Sequence, residues 1–347
     1  MRKEEMTKKE RFRAALNHEE TDRLATDMWA VPEVIEKLKK HYNTKNEYDI
    51  YEHLGIDKAI EAAPAYHGPR PDMWGIEYSP IPYNGGIYME PTKQPLADFE
   101  TIDEIEANYV WPSTDWFDYS AVKDQLERFK DYPFQGGYIS LTYFYDQLRG
   151  TEQMLLDFAA DPELAEYILY KIEEFAIAHT TKILEVCDGR ADYAEVTDDL
   201  GSQNGLLMSV PMIKRYLEKH YRHNIDVVKS FGAKAFHHDD GAMTQALPWL
   251  VNEMGIQVLN PLQHHLPGWD LKQIKADYGD KICFHGGVDN QFVMPFGTTD
   301  DVEKEVRFLC ENLYSDKRGY ILAPCHRLQA ITPVENIEKM YAIAKEY

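Results

Sequence analysis

Ala233-Lys234-Ala235-Phe236-His237-His238-Asp239-Asp240-Gly241 is the stretch that decides the fold. A short apolar run stops at two imidazoles and two carboxylates, and Gly241 supplies a turn. Residues 209–231 before it and 244–254 after it carry helical patterns. The polar cluster therefore falls where a strand ends and a loop begins, which is where barrel enzymes hold their chemistry. Neighbouring residues on a strand point to opposite sides, so His238 and Asp240 are expected to face one pocket together.

The same rhythm extends in both directions. Strands are expected at 24–28, 57–62, 137–144, 192–196, the central stretch, 256–259, 281–284 and 320–323. Helices are expected at 7–17, 32–41, 47–54, 120–130, 151–185 (broken near Asp161-Pro162), 209–231, 244–254, 302–313 and 335–347. Thr7 followed by Glu10 gives the first helix a capping box. Residues 69–91, with Gly85-Gly86, read as a β-hairpin excursion. Eight short apolar strands, most followed by a helix, predict an α/β fold of the (β/α)8 TIM-barrel kind over one domain, 1–347. An open doubly wound sheet would carry a Gly-rich phosphate loop after its first strand. Here that strand runs into Asp27-Met28-Trp29-Ala30 instead.

Composition narrows the partners. The chain has 347 residues, 44% of them apolar, enough for a large core. Its formal charge of -22 argues against nucleic acid or an anionic membrane surface as a partner. No apolar run is long enough to span a membrane, and the charged first ten residues do not read as a signal peptide. Four scattered cysteines (Cys187, Cys283, Cys310 and Cys325) suit a reducing cytoplasm. The 23 tyrosines include Tyr143, Tyr145 and Tyr193 near strand ends, where they can wall an apolar cavity.

If the barrel forms, the strand ends gather Asp27, Tyr143, Asp198, Asp199, Gln203, His237, His238, Asp239, Asp240, Asn260, His285, Asp289, Cys325 and His326 at one mouth. Among these, His238, Asp240 and Cys325 offer one nitrogen, one oxygen and one sulfur. Three protein donors with an open position form the catalytic zinc pattern. The same residues also suit a hydrogen-bonded cluster without metal. Asp239 and His237 are candidate acids, and Asp27, Tyr143, Asp199, Gln203, Asn260, His285, Asp289 and His326 are candidate substrate contacts. Asp199 and Asp289 also suit capping of the helix that follows each of them.

Several stretches, in order along the chain, resemble the uroporphyrinogen decarboxylase superfamily. They are Lys9-Glu10-Arg11-Phe12-Arg13-Ala14-Ala15-Leu16-Asn17-His18 with Asp22-Arg23, Asp198-Asp199-Leu200-Gly201-Ser202-Gln203, and His237-His238-Asp239-Asp240-Gly241. They continue through Leu259-Asn260-Pro261-Leu262-Gln263, Phe284-His285-Gly286-Gly287-Val288-Asp289, Pro295-Phe296-Gly297-Thr298 and Gly319-Tyr320-Ile321-Leu322-Ala323-Pro324-Cys325-His326. The resemblance implies a single (β/α)8 barrel.

It also implies one of two activities. One branch decarboxylates tetrapyrrole acetate arms without a cofactor and uses paired N-terminal arginines that this chain lacks after its first strand. The other moves methyl groups to or from a corrinoid (a cobalamin) carried by a partner protein, and binds zinc through His-x-Cys and a distant Cys. His238 and Cys325 are matched to the first and last of those positions, with Asp240 in the middle one. The oxygen-richer set would suit an ether or alcohol oxygen, so the resemblance points to a zinc-assisted, corrinoid-dependent methyltransferase acting on a small methylated substrate. A cofactor-free lyase using Asp239 and Asp240, or a non-catalytic corrinoid- or tetrapyrrole-binding protein, is the alternative.

Overall fold

The computed structural model describes residues 5–83 and 85–347; the first four residues and Asn84, in the expected hairpin, lie outside the described residues. Eight strands form one parallel sheet: β1 (Ala25–Thr26), β2 (Ile60–Glu61), β3 (Phe134–Ser140), β4 (Tyr193–Thr197), β5 (Lys234–His238), β6 (Val258–Asn260), β7 (Cys283–Val288) and β8 (Tyr320–Pro324). Each pairs with its sequence neighbour from β2 to β8, and β8 pairs with β1. Across the remaining gap the amides of Asp57 and Lys58, just before β2, donate to the Thr26 carbonyl at 3.1 and 3.3 Å. The sheet therefore curls round one interior in the manner of a TIM barrel.

Strand alternation divides that interior into layers. The lower layer is apolar: Ala25, Ala59, Tyr193, Phe236, Val258, Cys283 and Ile321 pack together, all buried. The first helix, α1 (Lys8–Leu16), plugs this end, with Phe12 stacked on Tyr193 at 6.2 Å between ring centroids. Its capping box forms as expected between Thr7 and Glu10. Arg11 then reaches Asp57 at 2.6 Å, and Arg23 reaches the same carboxylate at 3.1 Å. All three side chains are almost fully buried, so this pairing locks the plug to the start of β2.

The remaining elements match the expected order with local differences. β3 lies earlier than residues 137–144, because Asp198 accepts the amides of Leu141, Thr142 and Tyr143 and starts a helix there, Thr142–Arg149. Tyr143 is thus on a helix, 40% exposed, rather than ending a strand. β7 runs on through His285 to Val288, residues expected in a loop. Residues 244–254 form a short 3-10 turn, Thr244–Ala246, and a wider π-helical segment, Pro248–Met254, in place of one α-helix. The excursion is an antiparallel hairpin of Glu77–Tyr83 and Gly86–Lys93. Its tip reaches the loops after β1 and β8: the Ile87 amide donates to Glu33 at 3.1 Å, and Val31, Gln329 and Ala330 line the same crevice. Those loops leave the carboxyl ends of their strands, so the hairpin rests at the mouth, not at the plugged end.

Candidate functional site

Directly above the apolar layer lies a polar one, built from the next inward position of five of the eight strands. Asp27 follows β1, Glu195 sits on β4, His238 on β5, Asn260 on β6 and His285 on β7. The register sets Asn260 opposite His238. Gly286 keeps this layer close, since a Cβ there would meet the Asn260 Nδ2 at 3.2 Å in a backbone with φ of +104°. Gly241 does the same for the loop above: a Cβ would come within 2.7 Å of Gly201 and Ser202 backbone atoms, at φ +107°.

A chain of hydrogen bonds runs through the layer. His285 Nε2 donates to Asp27 Oδ2 at 3.2 Å, and Asn260 Nδ2 donates to His285 Nδ1 at 2.7 Å. Asn260 Oδ1 in turn accepts His238 Nδ1–H at 2.5 Å. Each role dictates the next, so the Asp27 carboxylate fixes which His238 nitrogen faces the mouth as a lone-pair donor: Nε2. Burial favours a protonated Asp27, but Lys58 and the His285 ring outweigh it and hold the carboxyl well below its ordinary range.

His238 Nε2 meets Asp240 Oδ2 at 3.8 Å and Asp199 Oδ1 at 3.9 Å, and His326 Nε2 lies 3.9 Å from the same Asp240 oxygen. Donor atoms of His238, Asp240 and His326 all lie within 4.8 Å of one another. These separations exceed hydrogen bonds and suit ligands arranged round one ion, whose bonds to nitrogen and oxygen are about 2.0–2.2 Å. Asp240 Oδ1 is buried without a partner, a further sign of an unfilled valence. The residues therefore fit a divalent metal of the zinc class. Burial lowers the His238 proton affinity, but Asp240, Asp199 and Glu195 push it up to about 10, so a cation would bind there in competition with a proton. Burial takes His326 down to about 4.

Of the expected donors, His238 and Asp240 are brought together, while Cys325 points elsewhere. Its thiol is buried and donates to the Leu262 carbonyl at 3.5 Å, and burial pushes its pKa far up. The neighbouring His326, expected as a substrate contact, takes the third place in the cluster.

His237 and Asp239 face away from the mouth. His237 packs near Tyr221 behind β5 and donates from Nδ1 to the Val196 carbonyl at 3.0 Å. Asp239 accepts the Leu200 and Gly201 amides at 2.9 and 3.0 Å, and burial pushes its pKa well up. Asp198 caps the helix after β3 and accepts the Tyr221 hydroxyl at 3.0 Å. Asp289 is buried and holds the amides of Gln291, Phe292 and Val293. Asp199, Tyr143 and Gln203 remain accessible at the rim.

Two residues without a role assigned from the sequence join the site. Trp29 stacks on His238 at 5.6 Å, edges onto His326 at 6.3 Å and donates to Asp27 at 3.3 Å. Glu195 is buried in the polar layer, hydrogen-bonded by Gln135 at 2.9 Å, and burial lifts its pKa to about 7. Its signal was present: a carboxylate at the centre of Tyr193-Ala194-Glu195-Val196-Thr197, a strand otherwise free of charge.

Comparison with solved structures gives a full-length likeness to a methyltransferase from Methanosarcina mazei, at a TM-score of 0.73 and 18% identity over 99% of both chains. At that identity the likeness establishes a shared fold. A glycosylated endo-beta-1,4-xylanase from Gloeophyllum trabeum (TM-score 0.49, 12% identity, 99% of both chains) is too distant to argue from. So is a B12-independent methionine synthase from Shewanella sp. W3-18-1 (0.45, 10%, 93% of this chain and 97% of that one). A comparison with curated proteins gives no match. The family model for uroporphyrinogen decarboxylase (URO-D) matches residues 133–347, more than half of the sequence and six of the eight strand-to-loop junctions, from β3 to β8, together with every residue of the metal-type cluster, and the chain belongs to that family.

Proposed function

We propose that this protein is a corrinoid-dependent methyltransferase of the URO-D family, a single cytoplasmic domain acting on a small methylated substrate with an ether-type oxygen. The observation that carries the reading is the His238, Asp240 and His326 cluster at an open mouth, with the His238 tautomer set from behind. A zinc-class ion held by these three side chains would supply Lewis acidity to the substrate oxygen, while a cob(I)alamin on a partner protein would accept the methyl group. Methyl departure leaves the bonding electron pair on the oxygen, which then takes up a proton. Glu195, buried in the same polar layer, is the carboxyl group placed to deliver it. Asp27, His285 and Asn260 orient His238. Trp29 covers one face of the cluster and limits water on that side. The hairpin supplies an apolar rim, with Ile87, Tyr88 and Met89 each at least half exposed.

The test is zinc content and methyl transfer to cob(I)alamin from aryl and alkyl methyl ethers. Wild type is expected to hold zinc in this cluster and to transfer methyl. His238→Ala and His326→Ala are expected to lose both, and Cys325→Ser to keep the metal. Full transfer by metal-free protein would overturn the reading, as would carbon dioxide release from a carboxylated substrate by metal-free protein.

A further inference from the structure

A second group of convergent donors lies apart from the first, between the loop after β6 and the helix Thr299–Leu313. His264 Nε2 lies 2.8 Å from Glu305 Oε1, and His265 Nε2 lies 3.6 Å from the same oxygen. His265 Nε2 is also 3.4 Å from Asp289 Oδ2. The donors of His264, His265 and Glu305 lie within 4.8 Å of one another. Tetrahedral ligands at about 2.0–2.1 Å from an ion are roughly 3.3–3.4 Å apart, so the 3.4 and 3.6 Å spacings need little adjustment, while the His264–Glu305 hydrogen bond would open by about 0.5 Å to admit the ion.

Consecutive side chains in an extended chain diverge, yet the rings of His264 and His265 lie 3.9 Å apart between centroids. The backbone makes this possible by folding tightly on both sides of the pair. The His264 amide donates to Leu262 O at 2.8 Å and the Leu266 amide to Gln263 O at 2.9 Å. Glu305 is nearly buried, and its Oε1 also accepts the Asp289 amide at 3.3 Å. Three groups thus aim at one carboxylate oxygen. An access route exists: Glu305 lines an open groove of about 500 Å³, walled by Phe292, Phe296 and Phe308.

We propose that His264, His265 and Glu305, with Asp289 as fourth donor, form a second, structural site for a zinc-class divalent ion. Two imidazoles and two carboxylates suit that class better than calcium or magnesium, which prefer all-oxygen shells. Four protein donors leave no open position, so the ion is held for structure and not for turnover. Its consequence is local. The clamped loop also braces the first cluster: Gln263 Oε1 accepts the Gly241 amide at 2.5 Å, and Trp269 Nε1 donates to the Gly241 carbonyl at 3.1 Å. An ion at this site therefore steadies the turn that follows Asp240.

The experiment uses the full chain, stripped with chelator and titrated with zinc alone. A His238→Ala/His326→Ala variant removes the first cluster, so failure of the proposed function leaves this test intact. That variant is expected to bind one zinc per chain with a dissociation constant below about 1 μM and to melt at a higher temperature with zinc than without. Adding His264→Ala and His265→Ala is expected to abolish both effects while the far-ultraviolet spectrum stays folded. Should the combined variant fail to fold, His265→Ala alone, an exposed side chain, is expected to weaken binding at least tenfold. No zinc bound by the His238→Ala/His326→Ala variant, or affinity unchanged by His265→Ala, overturns the proposal.

Discussion

Replacing Glu195 by Gln tests whether the polar layer holds a neutral carboxylic acid. Burial raises the Glu195 pKa from 4.5 to about 7 in the folded chain, against opposing contributions from His238 and Gln135. The sign follows from linkage: a carboxyl with a raised folded pKa costs nothing while both states are protonated, and its cost grows as pH rises from 4.5 through 7. Integrated over that window, ionisation costs the fold about 1 kcal/mol at pH 5 and about 3 kcal/mol at pH 8. Glutamine has the shape of the protonated acid and never ionises, and its carbonyl can still accept the Gln135 amide. With an unfolding entropy of about 0.7 kcal/mol/K for a chain of this length, Glu195→Gln should melt about 1 °C above wild type at pH 5 and about 4 °C above it at pH 8. Both proteins must be chelator-treated, since a bound cation beside His238 would itself lower the pKa. Scanning calorimetry at the two pH values reads the difference directly. An equal shift at both, or a Glu195→Gln protein less stable at pH 8, would refute the raised pKa.

Three further substitutions probe other parts. Asn260→Leu cuts the link between His285 and His238, and zinc affinity at the first cluster should fall 10–100-fold in a competition titration while the fold persists. Asp57→Ala leaves Arg11 and Arg23 without their shared buried carboxylate and should cost about 3–5 kcal/mol in urea unfolding. Tyr88→Ala, on the exposed hairpin, should leave the melting temperature within about 1 °C of wild type and raise KM for the methyl donor; an unchanged KM removes the hairpin from the substrate path.

All eight strands were legible because parallel strands buried on both faces read as short apolar runs. The hairpin was legible from Gly85-Gly86, and the α1 cap from Thr7 and Glu10. What escaped depended on long-range partners. The shortened β3 follows from Asp198, more than fifty residues away in sequence, which captures three successive amides. The buried position of His285 follows from pairing with β8 and from Asp27, 258 residues distant. At the mouth, alternation separated His238 and Asp240 from His237 and Asp239. It did not decide between Cys325 and His326, because both lie beyond β8, where the two-residue period no longer holds.

Charge at the mouth bears on the choice between the family's two chemistries. The carboxyl groups of Asp27, Asp199, Asp240 and Glu195 all act on the His238 neighbourhood, with Glu61 close enough to raise the Glu195 pKa. Lys58 is 3.6 Å from Asp27 and is committed to it. Arg327 is another cation whose charge reaches this group, and it acts on Glu195, Tyr143 and His326 alike. A like-charged pair about 6 Å apart costs roughly 3 kcal/mol at an effective dielectric near 20, so a substrate carrying several carboxylates would meet a penalty of several such pairs. A neutral ether or a divalent cation meets none. The acid–base pair that a lyase would need is also divided: Asp240 faces the mouth, while Asp239 is spent on the Leu200 and Gly201 amides behind β5. A tetrapyrrole bearing several carboxylates should therefore leave the melting temperature unchanged, whereas zinc should raise it. The reverse pattern would return the site to decarboxylation.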